Sequence, residues 1–190
     1  MQALIKNHIE QHIRTMEMVA GSMVDDIERC CRLLTDTLRQ GKKILLMGNG
    51  GSAADAQHFA AELVGRFILE RRALPAIALS TDTSILTAVG NDYGFDEIFR
   101  RQVEALARPG DVVIGISTSG NSENVYRALS TANEIGCSTV ALLGRDGGRI
   151  APLVQLPLIV PSQYTPHIQE AHACIIHLVC DLVEKTLFLS

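Results

Sequence analysis

The sequence lacks the features that a membrane or a nucleic-acid surface would require. No apolar run approaches the roughly 18 residues that cross a bilayer. Polar residues interrupt the first stretch, MQALIKNHIEQHIRTMEM, throughout, which is not the pattern of a secretory signal peptide. Positive charge is also scarce, since 17 Lys and Arg against 21 Asp and Glu give a net charge of −4, and no basic stripe suited to phosphate backbones is present. We therefore expect neither a membrane nor a nucleic acid as a partner.

Paired cysteines are missing as well. The five cysteines form no CxxC motif and their number is odd, whereas a disulfide framework uses an even number of cysteines. Buried thiols in a reducing compartment are the simpler interpretation, and we expect a cytoplasmic protein. The cysteines are Cys30, Cys31, Cys137, Cys174 and Cys180.

The chain does contain enough apolar sequence for one domain. Hydrophobic residues make up 47% of its 190 residues and charged residues 20%, which is typical of a globular protein. We predict a single domain over 1–190, with a helical extension at 1–40 and an α/β core at 41–190. A narrow apolar stripe on a polar helix favours packing against another helix, in this subunit or in a neighbour. The extension carries two such sets at helical spacing, Ile5, Ile9, Ile13 and Met16, then Ile27, Leu34 and Leu38.

From residue 42 onward, short apolar runs alternate with helical patterns. Five such runs separated by helices predict an α/β fold with a five-stranded, mostly parallel sheet covered by helices on both faces. The loops that follow the strands then lie at one edge of the sheet, where ligands of open α/β sheets bind. The predicted strands are 42–47, 74–80, 110–117, 138–144 and 156–162, and the predicted helices are 53–67, 83–90, 123–136 and 166–185.

Three of these loops are rich in glycine, serine and asparagine: GNGGS (48–52), STSGNS (117–122) and GRDGG (144–148). The first is neither a Walker loop nor a dinucleotide fingerprint, because GxxxxGK[ST] is absent and Ala53 stands where the third glycine belongs. The second is the better phosphate candidate. Its hydroxyls would stand beside the N–H groups of a helix N-terminus, which favours an anion. Ordinary turns and helix caps remain the alternative interpretation of each loop.

Two helices carry a second set of polar residues. His58 and Glu62 are four residues apart and project about 40° apart on one helix face. The last helix contains HIQEAHACIIH (167–177), where Gln169 and His177 are about 80° apart and Glu170 and His177 about 20° apart. Helical phase alone therefore favours Glu170 as the companion of His177. A surface ion pair and a hydrogen-bonded core histidine are the alternatives for these residues, and spacing does not link the two helices.

The motifs GNGGSAADAQHFAAELVGRF, GDVVIGISTSGNSENV and IQEAHACIIHLVCDLVE, with ALSTDTSILTAVGNDYGFDEIFRRQVEAL, resemble those of the phosphoheptose isomerases of the sugar-isomerase (SIS) fold. The resemblance covers nearly the whole chain. It implies a flavodoxin-like SIS fold and an aldose–ketose isomerase that converts sedoheptulose 7-phosphate to D-glycero-D-manno-heptose 7-phosphate, on the way to the heptose of lipopolysaccharide. It also implies a homotetramer whose N-terminal helices form a central bundle, with active sites at subunit interfaces.

The resemblance assigns site residues by position. It implies one zinc ion per subunit at His58, Glu62, Gln169 and His177, and so selects Gln169 where helical phase favours Glu170. Glu62 and His177 match the catalytic pair, the general base and the general acid of a reaction through an enediol. The implied substrate contacts are Asn49, Gly50, Gly51, Glu62, Asn91, Asp92, Ser117, Thr118, Ser119, Ser122 and Gln169.

A non-catalytic relative offers an alternative function. The protein that associates with the bacterial replication initiator is similar over the same length, but it replaces the glutamate and the final histidine and carries an arginine in its serine loop. Glu62, Ser119 and His177 are all present here. The sequence therefore favours the enzyme over a scaffold protein. Isomerisation of another sugar phosphate, or a glucosamine-phosphate isomerase domain, is a weaker alternative.

Overall fold

The computed structural model describes residues 1–189, and it begins with two helices. Helix α1 spans Gln2–Ser22 and helix α2 spans Val24–Arg39, with the boundary at Met23. Gly41 follows with φ +70°, a conformation that glycine adopts without strain. The predicted helical extension is therefore two helices. The stripe on α1 is uncovered in the single chain, because Ile5, Ile9 and Ile13 are 55%, 54% and 50% exposed.

The core is a five-stranded parallel sheet with the order β2-β1-β3-β4-β5, which confirms the predicted fold class. The chain first moves from β1 to β2 on one side and then crosses to β3 on the other, so β1 and β3 flank the topological switch point. The strands are β1 Ile44–Gly48, β2 Ala76–Ala78, β3 Val112–Ser117, β4 Ser138–Gly144 and β5 Leu156–Val160.

Strand β2 is shorter than the predicted run 74–80. It lies at the edge of the sheet and pairs only with β1. Pro75, which precedes it, has no N–H to donate to a sheet ladder, and Ile77 is 40% exposed. The apolar composition of this segment therefore reflects packing on one face, and only three of its residues enter the sheet.

Helices cover both faces of the sheet, and alternate residues of each strand point to opposite faces. Ile44 and Leu46 share a core with α2, α3 and α7, whereas Leu45 and Met47 share a second core with α5 and α6. Helix α5 was not predicted from the sequence, since its seven residues are too few to show a helical period. The helices are α3 Gly51–Val64, α4 Thr83–Tyr93, α5 Arg100–Leu106, α6 Glu123–Ile135 and α7 Thr165–Phe188.

Two further expectations concern the chain as a whole. All five cysteines are free thiols, and each is buried except Cys174, which is half-buried. Among residues 1–189, no helix is both long and apolar enough to cross a membrane.

A buried ion pair fastens α7 to the segment that follows α3. The side chains of Arg71 and Glu184 are each 2% exposed, and Nε of Arg71 lies 2.8 Å from Oε2 of Glu184. Glu184 also accepts hydrogen bonds from the backbone N–H groups of residues 67–69. Arg71 in turn donates to the backbone oxygen of Glu62 at 2.8 Å. The pair thus holds the end of α3, where Glu62 lies, against α7.

We expect Glu184→Gln to lower the free energy of unfolding by about 3–5 kcal/mol, because it leaves a buried guanidinium without its anion. Burial alone would raise the pKa of Glu184, but the backbone N–H groups and Arg71 outweigh it and lower that pKa from 4.5 to about 2. This contribution is therefore complete above about pH 4.5 and disappears as the pH falls towards 2. Urea unfolding at several pH values measures both effects.

The matched control is Asp181→Asn on the same helix, where Asp181 forms an exposed pair with Lys185. An exposed pair contributes about 0–1 kcal/mol. Equal losses of stability in the two variants would show that burial of the Arg71–Glu184 pair has no special effect.

Candidate active site

The candidate site begins where β1 and β3 end. The loops 48–52 and 117–122 leave these strands at the switch point, and each leads into a helix, α3 or α6. A cavity of about 170 Å³ opens beside the first loop and is lined by Gly48, Asn49, Gly50, Ala53, Ser80, Leu86, Phe95, Ile98 and Phe99. The predicted position of these loops at this edge of the sheet is therefore correct.

Glycine is required in the first loop for two different reasons. Gly50 precedes α3 with φ +56°, where a side chain would strain the backbone. At Gly51 a Cβ would lie only 2.3 Å from Nε2 of Gln169, so the missing side chain makes room for that amide. Gln169 thus lies against the start of α3, and the two implied substrate contacts Gly51 and Gln169 are neighbours.

Asn49 is held by a residue that the sequence analysis missed. The side-chain amides of Asn49 and Asn124 form two reciprocal hydrogen bonds of 2.9 Å each. Asn124 is 2% exposed and lies in the first turn of α6, so this pair joins the glycine loop to the serine loop. From sequence alone, an asparagine directly after a serine-rich loop is interpreted as a helix-capping residue. Its contact with Asn49 was therefore not predicted.

The serine loop is a compact turn before α6. Oγ of Ser117 lies 2.9 Å from Oγ of Ser122, and Ser117 is buried. Gly120 has φ +66°, and a Cβ there would lie 2.0 Å from the backbone oxygen of Gly147, so the third loop packs directly on the second. The backbone N–H of Asn121 donates to Oγ of Ser119. The loop thus offers hydroxyls beside a helix N-terminus, which can bind an anion without a basic residue.

Acidic charge near this loop is compensated. Glu123, the first residue of α6, forms ion pairs with Arg127 and Arg149. The hydrogen bonds from Arg127 and Arg149 lower the pKa of Glu123. The negative charge of Glu123 is thus balanced by the two arginines, so it does not oppose an anion bound at the loop.

A cluster of two histidines and a glutamate forms where α3 and α7 pack side by side. Nε2 of His58 lies 2.8 Å from Nε2 of His177 and 3.7 Å from Oε1 of Glu62. The side chains of His58 and Glu62 are 45% and 23% exposed, so solvent and ligands reach them. Sequence spacing could not link the two helices, because their contact depends on the tertiary packing. We call these three residues the His58 cluster.

Gln169 is not part of the His58 cluster of its own chain. Along α7, the Cα atoms of Gln169 and His177 are about 12 Å apart at 1.5 Å per residue. Their side chains lie against different parts of α3, with Gln169 beside Gly51 and His177 beside His58. Glu170, which helical phase favoured, faces α1 instead, where Oε2 lies 2.7 Å from Nδ1 of His12. The phase argument was therefore wrong about Glu170.

Asp55 is a second residue that the sequence analysis did not single out for the site. It lies one turn before His58 on α3, and its Oδ2 is buried without a hydrogen-bond partner in the described chain. Burial raises the pKa of Asp55 to about 6, although His58 acts in the opposite direction. A carboxyl group with such a pKa exchanges protons near neutral pH.

Asn91 and Asp92 lie on α4, whose Leu86 lines the cavity beside the first loop. Both are exposed near the end of α4, and Nδ2 of Asn91 donates to Oδ1 of Asp92 at 2.8 Å. Helix α4 has no buried residue and begins with Asp82, which caps the backbone N–H of Ile85. Their assignment as substrate contacts stays a prediction.

The chain matches the SIS domain family over residues 7–144. It is 63% identical over 184 residues to the phosphoheptose isomerase of Geotalea daltonii, which covers 97% of this chain and 96% of that protein. The structure of a phosphoheptose isomerase from Neisseria gonorrhoeae superposes with a TM-score of 0.92 at 46% identity, over 97% of this chain and 98% of that one. A phosphoheptose isomerase from Francisella tularensis gives 0.94 at 37% identity, with the same coverage.

These matches agree with the position of the glycine and serine loops at the switch point. The fold and the glycine and serine loops define a protein of the SIS class. Within that class, the chain belongs to the phosphoheptose isomerase family, and it is an isomerase.

Proposed function

We propose that the protein converts sedoheptulose 7-phosphate to D-glycero-D-manno-heptose 7-phosphate. The observation that carries this proposal is the His58 cluster, in which a carboxylate and two imidazoles converge on a partly exposed surface between α3 and α7. Such groups supply the general base and acid that an aldose–ketose isomerisation needs. The names of the relatives support the substrate.

The reaction moves one proton between C1 and C2 of the sugar. Glu62 takes the proton from C1 of the ketose, which leaves an enediol, and returns it to C2. His177 moves a proton between the oxygens at C1 and C2, so that the carbonyl migrates from C2 to C1.

The serine loop anchors the phosphate at the far end of the sugar. The hydroxyls of Ser117, Thr118, Ser119 and Ser122 and the N-terminus of α6 suit a phosphomonoester. Asn49, fixed by Asn124, and Gly50 and Gly51 complete the contacts at the switch point. Holding the phosphate in this way places C1 and C2 in register with the acid and the base, which lowers the barrier by several kcal/mol.

The residues of the His58 cluster also fit a zinc ion, because imidazole nitrogens and carboxylate oxygens are its common ligands. His58, Glu62 and His177 would hold it, together with a Gln169 side chain. A bound zinc ion supplies Lewis-acid polarisation of the sugar oxygens.

We further propose that this Gln169 comes from a neighbouring subunit of a homotetramer. Two ligands of one zinc ion lie within about 4.4 Å of each other, whereas the Gln169 amide lies beside Gly51, which precedes His58 by seven residues or about 10 Å along α3. The uncovered stripe of Ile5, Ile9 and Ile13 on α1 supports a bundle of N-terminal helices between subunits. In the cell, the enzyme acts in the cytoplasm on the route to the heptose of lipopolysaccharide.

Turnover of sedoheptulose 7-phosphate by the purified protein tests the proposed function. We expect turnover to fall by about 10²-fold or more when a chelator removes zinc, since Lewis-acid polarisation contributes several kcal/mol. Turnover should return when zinc is added back. Turnover that persists in protein shown by elemental analysis to be free of metal would contradict the role of zinc. Absence of turnover under every condition would contradict the isomerase.

A further inference from the structure

Four polar side chains meet where α1 crosses the start of α7, away from the His58 cluster. His8 and His12 come from α1, and His167 and Glu170 come from α7. Oε2 of Glu170 lies 2.7 Å from Nδ1 of His12 and 3.2 Å from Nδ1 of His167, and Oε1 lies 4.0 Å from Nε2 of His8. The rings of His8 and His167 are 4.6 Å apart between centroids. One carboxylate is thus surrounded by three imidazoles.

The hydrogen bonds within this group leave His167 incompletely satisfied. His167 is 2% exposed, and its Nε2 is buried without a partner among residues 1–189. A carboxylate only accepts hydrogen bonds, so a neutral His167 donates from Nδ1 to Glu170 and keeps a bare lone pair on Nε2. A buried acceptor without a donor is costly. The three neutral imidazoles and the carboxylate together present more acceptors than the three ring N–H groups can satisfy.

We propose that His8, His167 and Glu170 form a second metal site, for a divalent transition-metal ion of the zinc type. One donor atom from each of the three residues lies within 4.8 Å of the others. Two imidazoles and a carboxylate are a donor set that zinc uses with a fourth position open to water, and imidazole also suits nickel and copper. His12, hydrogen-bonded to Glu170, orients the carboxylate in the way that outer partners of metal ligands do.

The site is distinct from the His58 cluster. Glu170 and His177 are separated by about 10 Å along α7, and the two groups contact different helices, α1 and α3. A metal at the second site joins α1 to α7. Within the single chain α1 buries only Thr15 and Val19, both in its second half, so the first half has few other contacts that hold it to the domain. The ion therefore stabilises the docked position of the N-terminal helix through mass action.

Zinc titration of the full-length, metal-stripped protein tests the site. The His177→Ala variant serves as the background, because it disables the His58 cluster without touching α1. In this background we expect one Zn²⁺ per chain by calorimetry, a rise in Tm on zinc addition, and d–d absorption bands with Co²⁺. His58→Ala provides a second background in case the first is unstable.

Adding His8→Ala, or separately Glu170→Gln, is expected to weaken zinc binding by at least about 10–100-fold, the loss that follows removal even of an outer partner of a metal ligand. The zinc-dependent rise in Tm disappears with it. His8 is exposed, so its removal does not endanger the fold, and Gln11→Ala on the same helix is the matched control that retains both effects. Unchanged affinity and unchanged Tm shift in both His8→Ala and Glu170→Gln, or no zinc bound in either background, would overturn the proposal.

Discussion

Replacing Glu62 with glutamine is expected to lower kcat by about 10²–10⁴-fold, the contribution of a positioned general base. Glutamine has nearly the shape of glutamate but cannot accept the proton from C1 of the sugar. The Glu62 side chain is partly exposed, at 23%, so the fold and the oligomeric state should not change. The measurement is steady-state turnover of sedoheptulose 7-phosphate, combined with exchange of the C1 proton for deuterium from the solvent.

The exchange measurement separates the role of a base from that of a metal ligand. If Glu62 is the base, its glutamine variant loses C1 exchange even when zinc analysis shows that the metal is still bound. Glu70→Gln is the matched control, because Glu70 lies eight residues further on and its side chain is 93% exposed. A Glu62→Gln enzyme with most of its activity, or with normal C1 exchange, would show that another group, such as the partly buried Asp55, removes the proton.

Much of the fold could be predicted because parallel sheets leave a strong pattern in sequence. Strands buried on both faces read as continuous apolar runs, and the run 138–144 coincides with β4. Elements with weaker patterns were harder to predict. β2 packs at an edge and is shorter than its apolar run, and α5 has only seven residues.

The contacts within the site were harder to predict from the sequence than the sheet was. Position at the switch point follows from topology, so the glycine and serine loops could be predicted to lie together. Contacts between helices distant in sequence could not, since they depend on which face of α7 packs on α3. Helical phase selected Glu170, yet the packing turns Glu170 towards His12 on α1. Asn124 was missed for a similar reason, because its partner Asn49 is distant in sequence and reaches it only through the fold.

Mixing two inactive variants is expected to restore activity if Gln169 serves a neighbouring subunit. In the proposed homotetramer, Gln169→Ala and His177→Ala each lack one part of every site, so each variant alone has little turnover. In hybrid tetramers, a site is intact when its His58 cluster comes from a Gln169→Ala chain and its Gln169 from a His177→Ala chain. Random assembly makes about a quarter of the sites intact. Co-expression with two affinity tags isolates the hybrids, whose turnover is then compared with that of the wild type.

The matched control is the pair Glu62→Gln with His177→Ala. Both residues belong to the His58 cluster of one chain, so every hybrid site still lacks one of them and activity should not return. Restoration in the first mixture but not in the second places Gln169 and the His58 cluster on different chains. If neither mixture recovers, Gln169 acts within its own chain, and its side chain would have to turn from Gly51 towards His177.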